Sequence, residues 1–242
     1  MASDFDPRAV KAMVFDTFGT VVDWRGSIIA EGERYWKPEK GMDIDWPAFA
    51  DAWRAKYAPS MNRVRTGELP WTRLDDLHRM ALDQNLAEFN VTTLSDADKQ
   101  HLNLVWHRLN AWPDVASGLA RLKSRYVIAP LSNGNLSLLT EMAKFAGIPW
   151  DCVLGSDLFH HYKPDPETYL GAAEILGIEP GQVMMTAAHV NDLNTARSLG
   201  LRTAFVHRPH ERGPGQTPLR PADDEFDVVA DDFRDMAARL SL

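Results

Sequence analysis

The chain has 242 residues, 45% of them hydrophobic and 25% charged, a composition typical of globular proteins and not of disordered or fibrous ones. Its 34 acidic and 26 basic side chains give a formal net charge of -8, so we expect a small-molecule ligand and neither nucleic acid nor an anionic membrane as partner. No apolar run approaches the roughly 18 residues of a membrane span, and the first residues lack the pattern of a secretory signal, so a cytoplasmic location is expected.

The first predicted element is a short buried strand, Ala12–Asp16, which runs into the turn-rich sequence DTFGT. Ligands of open parallel sheets bind beyond the carboxyl ends of the strands, so Asp16 is a candidate functional residue. An isolated aspartate at such a point is more often a turn former. The Phe-Gly-Thr that follows it, and the helical sequence after that, favour the functional interpretation.

The chain from Thr20 to about Trp112 shows no strand pattern and reads as a series of amphipathic helices. They are predicted at Gly26–Trp36, Trp46–Met61, Trp71–Leu82 and Asp96–Leu109. This segment is far longer than a crossover connection, which needs as few as about 10–12 residues. We therefore predict a helical domain, residues 20–112, inserted into an α/β core formed by residues 1–19 and 113–242.

Strands and helices alternate in the second half of the chain. The predicted strands are Tyr126–Leu131, Gln182–Met185, Arg202–Val206 and Phe226–Ala230. The predicted helices are Asp114–Ser124, Leu136–Ala146, Pro166–Leu176, Asp192–Leu199 and Asp231–Leu240. This alternation predicts a doubly wound α/β fold with a parallel sheet covered on both faces. The Pro- and Gly-rich segment Arg208–Asp224 is interpreted as a connecting surface loop.

Three further sets of polar residues lie in loops near predicted strands. Ser132 and Asn133 follow one strand, Lys163 precedes a proline, and the segment His189–Asp192 follows another strand. Each set also has a plain structural explanation as a turn, a solvated lysine or a helix cap. Their shared position at strand ends favours one site at the edge of the sheet.

These motifs and the helical insertion together resemble the haloacid dehalogenase superfamily over nearly the whole chain. The resemblance implies that the insertion is the family's cap domain. It implies four motif roles: nucleophile for Asp16, second-motif hydroxyl for Ser132, third-motif lysine for Lys163 and last-motif acid for Asp192.

Phe18 distinguishes between branches of that superfamily. Its phosphatases carry a second aspartate at this position, which protonates the leaving group, and a phenyl ring has no proton to give. The sequence DTFGT, the pair Trp53-Arg54 and the sequence KPDPETY resemble the type II, or L-2-haloacid dehalogenase, branch.

The resemblance also implies a reaction without metal or cofactor, in which Asp16 attacks the carbon that carries the halogen. Lys163 would keep Asp16 ionised, and Arg54 with Asn133 would receive the halide. A helical arginine such as Arg54 is equally compatible with a solvated position. The substrate-binding residues expected are Thr20, Phe18, Ser132, Asn133, Tyr169 and Asn191.

One motif departs from the family pattern. Many relatives have Ser-Ser-Asn where this chain has Ala187-Ala188-His189. Because His189 and Asp192 are three residues apart, a helical turn would place them on one face, and we expect the two to activate the hydrolytic water together. A histidine also narrows the pocket, which favours small substrates and makes fluoroacetate a hypothesis.

The function expected is metal-independent hydrolysis of short 2-haloalkanoic acids to 2-hydroxy acids through an aspartyl ester. A hydrolase that opens another small carboxylate electrophile, such as azetidine-2-carboxylate, is the alternative. A magnesium-dependent phosphatase is disfavoured by Phe18, and a non-catalytic binding protein by the presence of Asp16, Lys163 and Asp192 together. Relatives are commonly dimers built through the cap, so a homodimer is expected.

Overall fold

The computed structural model describes residues 5–242; residues 1–4, which belong to the predicted core, lie outside the described residues. A parallel sheet has the strand order β5-β4-β1-β6-β7-β8, and β2 and β3 form a separate antiparallel pair. The strands are β1 Ala12–Phe15, β2 Val22–Asp23, β3 Asn110–Ala111, β4 Val127–Ser132, β5 Leu154–Gly155, β6 Val183–Ala187, β7 Arg202–Val206 and β8 Val228–Ala230. The predicted doubly wound α/β fold is confirmed.

Strand β1 lies in the middle of the sheet, between β4 and β6, and all four of its residues are buried. A strand covered on both faces is apolar throughout, which is why this segment reads as a continuous hydrophobic run. The backbone N–H of Asp16 donates to the carbonyl of Thr186 at 2.9 Å. That bond extends the pairing with β6 by one residue and fixes Asp16 at the carboxyl edge of the sheet.

Five helices cover the two faces of the sheet. These helices are α7 Val115–Lys123, α8 Leu136–Ala146, α9 Pro166–Leu176, α10 Val190–Ser198 and α11 Phe233–Arg239, and α8 and α9 have the predicted bounds. Helices α8 and α9 end where Gly147 and Gly177 take the left-handed conformation, which glycine adopts without steric cost. The boundaries of the other three differ from prediction by one or two residues.

The segment between β1 and α7 is helical, as expected, and its two ends pair as β2 and β3. Its α-helices are α1 Trp24–Glu31, α2 Lys37–Lys40, α3 Trp46–Ala55, α4 Tyr57–Arg65, α5 Leu74–Glu88 and α6 Asp96–Asn103. The prediction of a single helix over Trp46–Met61 is wrong. Pro59 has no N–H to donate to the carbonyl of Ala55, so one helix ends there and the next begins at Tyr57.

Two other predicted helices of the insertion end in segments that are not α-helical. The segment Gly32–Trp36 forms a π-helical turn after α1, and Leu104–His107 forms a 3-10 turn after α6. Strands β2, β3 and β5 were not predicted, since two residues are too few to show a period. Within residues 5–242, none of the helices has the length and apolar character that crossing a membrane requires.

Candidate active site

Asp16 is the centre of a buried polar cluster at the carboxyl edge of the sheet. One carboxylate oxygen, Oδ2, accepts hydrogen bonds from the Thr20 hydroxyl at 2.8 Å and from His189 Nδ1 at 3.0 Å. The other oxygen, Oδ1, lies 3.0 Å from Lys163 Nζ. The loop after β1, the loop before α9 and the loop after β6 therefore meet at this one side chain.

Lys163 bridges two carboxylates. Its ammonium group contacts Asp192 as well as Asp16, and the three side chains are about nine-tenths buried. The hydroxyl of Tyr169, on the first turn of α9, donates to the other oxygen of Asp192 at 2.6 Å. Asp192 is thus held by two donors, which makes it a counter-charge and anchor for Lys163.

His189 also bridges two carboxylates. Its Nδ1 faces Asp16, and its Nε2 lies 2.9 Å from Oε1 of Glu211, a side chain that is 4% exposed. Both ring nitrogens must carry a proton to donate in both directions. The geometry therefore describes an imidazolium held between two carboxylates.

The electrostatics of the cluster favour the charged forms of Asp16 and His189. Burial would raise the pKa of Asp16, but the charge of Lys163 and the hydrogen bonds from His189 and Thr20 outweigh it and hold the pKa well below its usual range. Burial opposes the imidazolium, yet the bonds to Asp16 and Glu211 raise the pKa of His189 to about 10. Asp16 is therefore a carboxylate, the ionised form that nucleophilic attack by an aspartate requires.

Ser132 and Asn133 close the site beside Lys163. Ser132 ends β4, is buried and accepts a hydrogen bond from the N–H of Gly134 at 3.2 Å. The Asn133 side-chain oxygen accepts the backbone N–H of Lys163 at 2.7 Å. Asn133 thus ties the loop after β4 to the segment that carries the lysine, while Ser132 stabilises the loop itself.

The insertion covers this edge with an aromatic cage around Arg54. The Arg54 guanidinium lies 4.0 Å from the ring centre of Tyr57, 5.4 Å from that of Trp24 and 5.8 Å from that of Phe18. Its Nη1 is buried without a hydrogen-bond partner among the described residues. Tyr57 also meets the Phe18 ring edge to face, with the ring centres 6.1 Å apart, which links the cage to the loop after β1.

The structure places several of the predicted site residues differently from expectation. His189 is extended and precedes α10, so it does not share a helical face with Asp192, and its ring contacts Asp16 and Glu211 instead. Asn191, which was expected to bind substrate, is exposed on the first turn of α10, and that role stays a prediction. The Thr20 hydroxyl donates to Asp16 and accepts the N–H of Ala188 at 3.0 Å, so it positions the carboxylate. Tyr169, also expected to bind substrate, donates its hydroxyl to Asp192, and its role toward substrate stays a prediction.

Two functional candidates were missed by sequence reasoning. Glu211 lies in the segment that was interpreted as a mere connection, and His78 is buried in α5 against the cage. The rule that ligands bind at strand carboxyl ends, applied to β7, would have drawn attention to Glu211. His78 has no comparable signal, because an isolated histidine in an amphipathic helix is an ordinary sequence feature.

The arrangement supplies the buried carboxylate of Asp16 between the cations Lys163 and His189. It also supplies the aromatic cage, in which Nη1 of Arg54 is an unpaired donor. Phe18 stands where a second acid would be needed for protonating an ester oxygen, and its ring is 2% exposed. Among residues 5–242, no group of three or more His, Cys, Asp or Glu side chains is arranged to hold a metal ion. The chemistry this suits best is displacement of an anionic leaving group from carbon, followed by hydrolysis.

Comparisons with known proteins agree with this description. The haloacid dehalogenase-like hydrolase family model matches residues 10–200. The (S)-2-haloacid dehalogenase 4A of Burkholderia cepacia is 28% identical over 211 residues, which are 83% of this chain and 84% of the relative. A solved structure of a defluorinating L-2-haloacid dehalogenase is 47% identical, with a TM-score of 0.92 and 96% of each chain covered. Another L-2-haloacid dehalogenase structure is 45% identical, with a TM-score of 0.89, and the match covers 96% of this chain and 99% of that one.

Proposed function

The chain belongs to the haloacid dehalogenase-like hydrolases, and from that premise we propose that it hydrolyses short 2-haloalkanoic acids to 2-hydroxy acids. The substrates proposed are haloacetates, fluoroacetate among them, and L-2-halopropionates. The observation that carries the proposal is the ionised Asp16, flanked by Lys163 and His189, opposite an arginine cage in which Phe18 replaces a proton donor.

In the first step, a carboxylate oxygen of Asp16 attacks the carbon that bears the halogen from the side opposite the halogen. The new C–O bond forms while the C–X bond breaks, and the halide departs with the bonding pair toward Arg54. The loop of Ser132 and Asn133, with backbone N–H groups near the start of α8, receives the substrate carboxylate. The product of this step is an ester on Asp16 with inverted configuration at carbon.

In the second step, water attacks the side-chain carbonyl carbon of that ester. His189, with Glu211 behind it, is the proposed base: once Asp16 is an ester, one of the two negative charges that stabilise the imidazolium is gone. His189 can then release its proton and accept one from water. Hydrolysis frees the 2-hydroxy acid and restores Asp16, which keeps one oxygen from water.

The names of similar proteins support this proposal. The relative from Burkholderia cepacia is called an (S)-2-haloacid dehalogenase, and a structure that is 47% identical is titled a defluorinating L-2-haloacid dehalogenase. We extend both descriptions to this chain. The proposed cap is the insertion, residues 20–112, and the proposed assembly is a homodimer, for which light scattering should give twice the 27.2 kDa chain mass.

The proposal is tested by measuring free halide and 2-hydroxy acid from chloroacetate, fluoroacetate and the two 2-chloropropionate enantiomers in excess chelator. We expect equal amounts of both products, turnover of the L enantiomer, and no turnover by Asp16→Asn. Asp96→Asn, a change at a cap side chain that is 93% exposed, is the matched control and should keep full activity.

A labelling experiment tests the ester intermediate. With enzyme in excess over chloroacetate in H₂¹⁸O, the label should appear in the Asp16 peptide and not in the hydroxyacetate of the first turnover. Label in that first product would show direct attack by water and contradict the proposed nucleophile. Absence of halide from every substrate with folded protein would contradict the function itself.

A further inference from the structure

His78 is a buried polar side chain that the preceding reaction does not use. It is 2% exposed, and neither of its ring nitrogens has a hydrogen-bond partner among the described residues. Buried polar groups in proteins are nearly always paired, so such a residue calls for an explanation. Arg54 Nη1 and Trp106 Nε1 are buried and unpaired in the same way.

These unpaired donors border the same cage. The His78 ring stacks on Trp106 with the centres 4.2 Å apart and the planes at 20°. It also meets Phe18 edge to face at 6.3 Å and Tyr57 at 6.0 Å, which are two of the three rings over which Arg54 lies. These donors therefore lie beside Arg54, the residue toward which the proposed reaction sends the halide.

His78 is neutral in this position. Burial lowers its pKa to about 3, and the nearby positive charge of Arg54 acts in the same direction. A neutral imidazole has one N–H to donate, and it adds no second cation beside the guanidinium. It can therefore stabilise an anion by hydrogen bonding without giving up a proton.

We propose that His78 is a catalytic residue that donates its ring N–H to the departing halogen beside Arg54, and that this second donor makes fluoride an acceptable leaving group. The inference deepens the proposed function and rests on it. No proton is transferred: the Asp16 C–O bond forms, the C–X bond breaks, the halide keeps the electron pair, and the Arg54 and His78 hydrogen bonds stabilise its charge.

The effect should be selective for fluoride. Fluoride concentrates its charge in the smallest volume among the halides and accepts the strongest hydrogen bonds, and the carbon–fluorine bond is the hardest of the series to break. A donor aimed at developing charge in a dry site contributes most where that charge is most concentrated. Chloride, which is larger and leaves readily, depends less on the second donor.

The test uses two substitutions of nearly equal shape. His78→Gln keeps an N–H donor, and His78→Met removes it, so loss of ring packing is common to both. The quantity measured is the ratio of kcat/KM for fluoroacetate to kcat/KM for chloroacetate. We expect this ratio to be at least about tenfold lower in His78→Met than in His78→Gln, since loss of one such donor can lower kcat by about 10²–10³-fold.

The outcomes separate the two proposals. Equal ratios in the two variants, or equal losses on both substrates, would mean that His78 only packs, and would overturn this inference while leaving the proposed function intact. No halide from either substrate with the unsubstituted protein would overturn the proposed function and this inference with it. A thermal unfolding transition in each variant confirms that folded proteins are being compared.

Discussion

The proposed nucleophile, Asp16, is defined by its neighbours more than by its own residue type. Asp16 alone could be a turn former, but it is buried between Lys163 and His189, and its charge is stabilised from both sides. His189 in turn depends on Glu211, which holds the other ring nitrogen. The histidine predicted to pair with Asp192 contacts Asp16 and Glu211, an acid from a different loop.

Glu211 is expected to act through His189 on the hydrolysis of the ester. In Glu211→Gln the imidazole loses its remaining counter-charge and becomes a weaker base, so ester hydrolysis should slow by about 10²-fold. Rapid-quench mass spectrometry should then show a burst of halide and accumulation of esterified protein. Glu141→Gln, which removes the carboxylate beside His107, is the matched control and should show no accumulation. Steady turnover of Glu211→Gln without a burst would contradict the role.

The two steps should respond differently to pH. In the free enzyme His189 is protonated up to a pKa of about 10 and the pKa of Asp16 lies far below neutrality, so ester formation should be flat from about pH 6 to 9. In the ester the charge of Asp16 is gone, the pKa of His189 is lower, and hydrolysis should rise with pH as the ring deprotonates. Single-turnover measurements of both steps across this range check the prediction; hydrolysis that does not change with pH would contradict it.

At the scale of elements, the turn after β1 leaves the space that Glu211, from the loop after β7, occupies. Gly19 has a φ of +87°, and a Cβ placed there would lie 2.2 Å from Oε1 of Glu211. Position 19 therefore requires glycine for two reasons: the backbone is left-handed there, and the Glu211 side chain occupies the space that a Cβ would fill. The backbone conformation of the loop from Asp16 to Thr20 therefore depends on glycine at this one position.

Gly19→Ala should consequently cost both stability and activity. We expect a loss of more than about 1 kcal/mol in the free energy of unfolding from the backbone alone, and accumulation of ester because Glu211 is pushed from His189. Gly41→Ala is the control, since Gly41 has a φ of +68° with nothing within 4 Å of a Cβ. It should share the backbone cost in denaturant titrations and keep full activity. Equal activity of the two variants would contradict the proposed clash.

At the scale of the whole molecule, His107 joins the insertion to the core. His107, which is buried, contacts Asp75 of the insertion at 2.9 Å and Glu141 of α8 at 2.8 Å. Asp75 also accepts a hydrogen bond from Asn135, at the start of α8. This His107 cluster fixes the insertion next to the loop that carries Ser132.

The His107 cluster should make stability depend on pH. Burial works against the imidazolium, but the bonds to Asp75 and Glu141 outweigh it and raise the pKa of His107 above its ordinary value of about 6.5. The stabilisation is therefore fully present below about pH 6.5 and is lost as pH rises through the raised pKa. We expect His107→Gln to cost about 2 kcal/mol at pH 6 and less at pH 9 in denaturant titrations. A cost that grows with pH would contradict this sign.

The sequence by itself determined the α/β fold, the helical insertion and most of the residues around the nucleophile. Apolar runs have to be buried, and parallel strands bring their carboxyl ends to one edge, so Asp16, Ser132, Lys163 and His189 could be placed together from their positions along the chain. The break between α3 and α4 follows from local chemistry, because Pro59 has no N–H to donate to the helix. The sequence contains this signal, and the prediction of one helix over Trp46–Met61 failed because it was overlooked.

Only the tertiary structure decided which side chains face each other. Glu211 reaches His189 from a loop 22 residues away, and His78 reaches the cage from a helix whose pattern looks ordinary. Asn191 lies one residue from Asp192 and is exposed, while Asp192 is held by Lys163. Periodicity specifies which face of an element is buried, but hydrogen bonding and ion pairing depend on distances of a few ångströms between segments far apart in the chain, which packing alone sets.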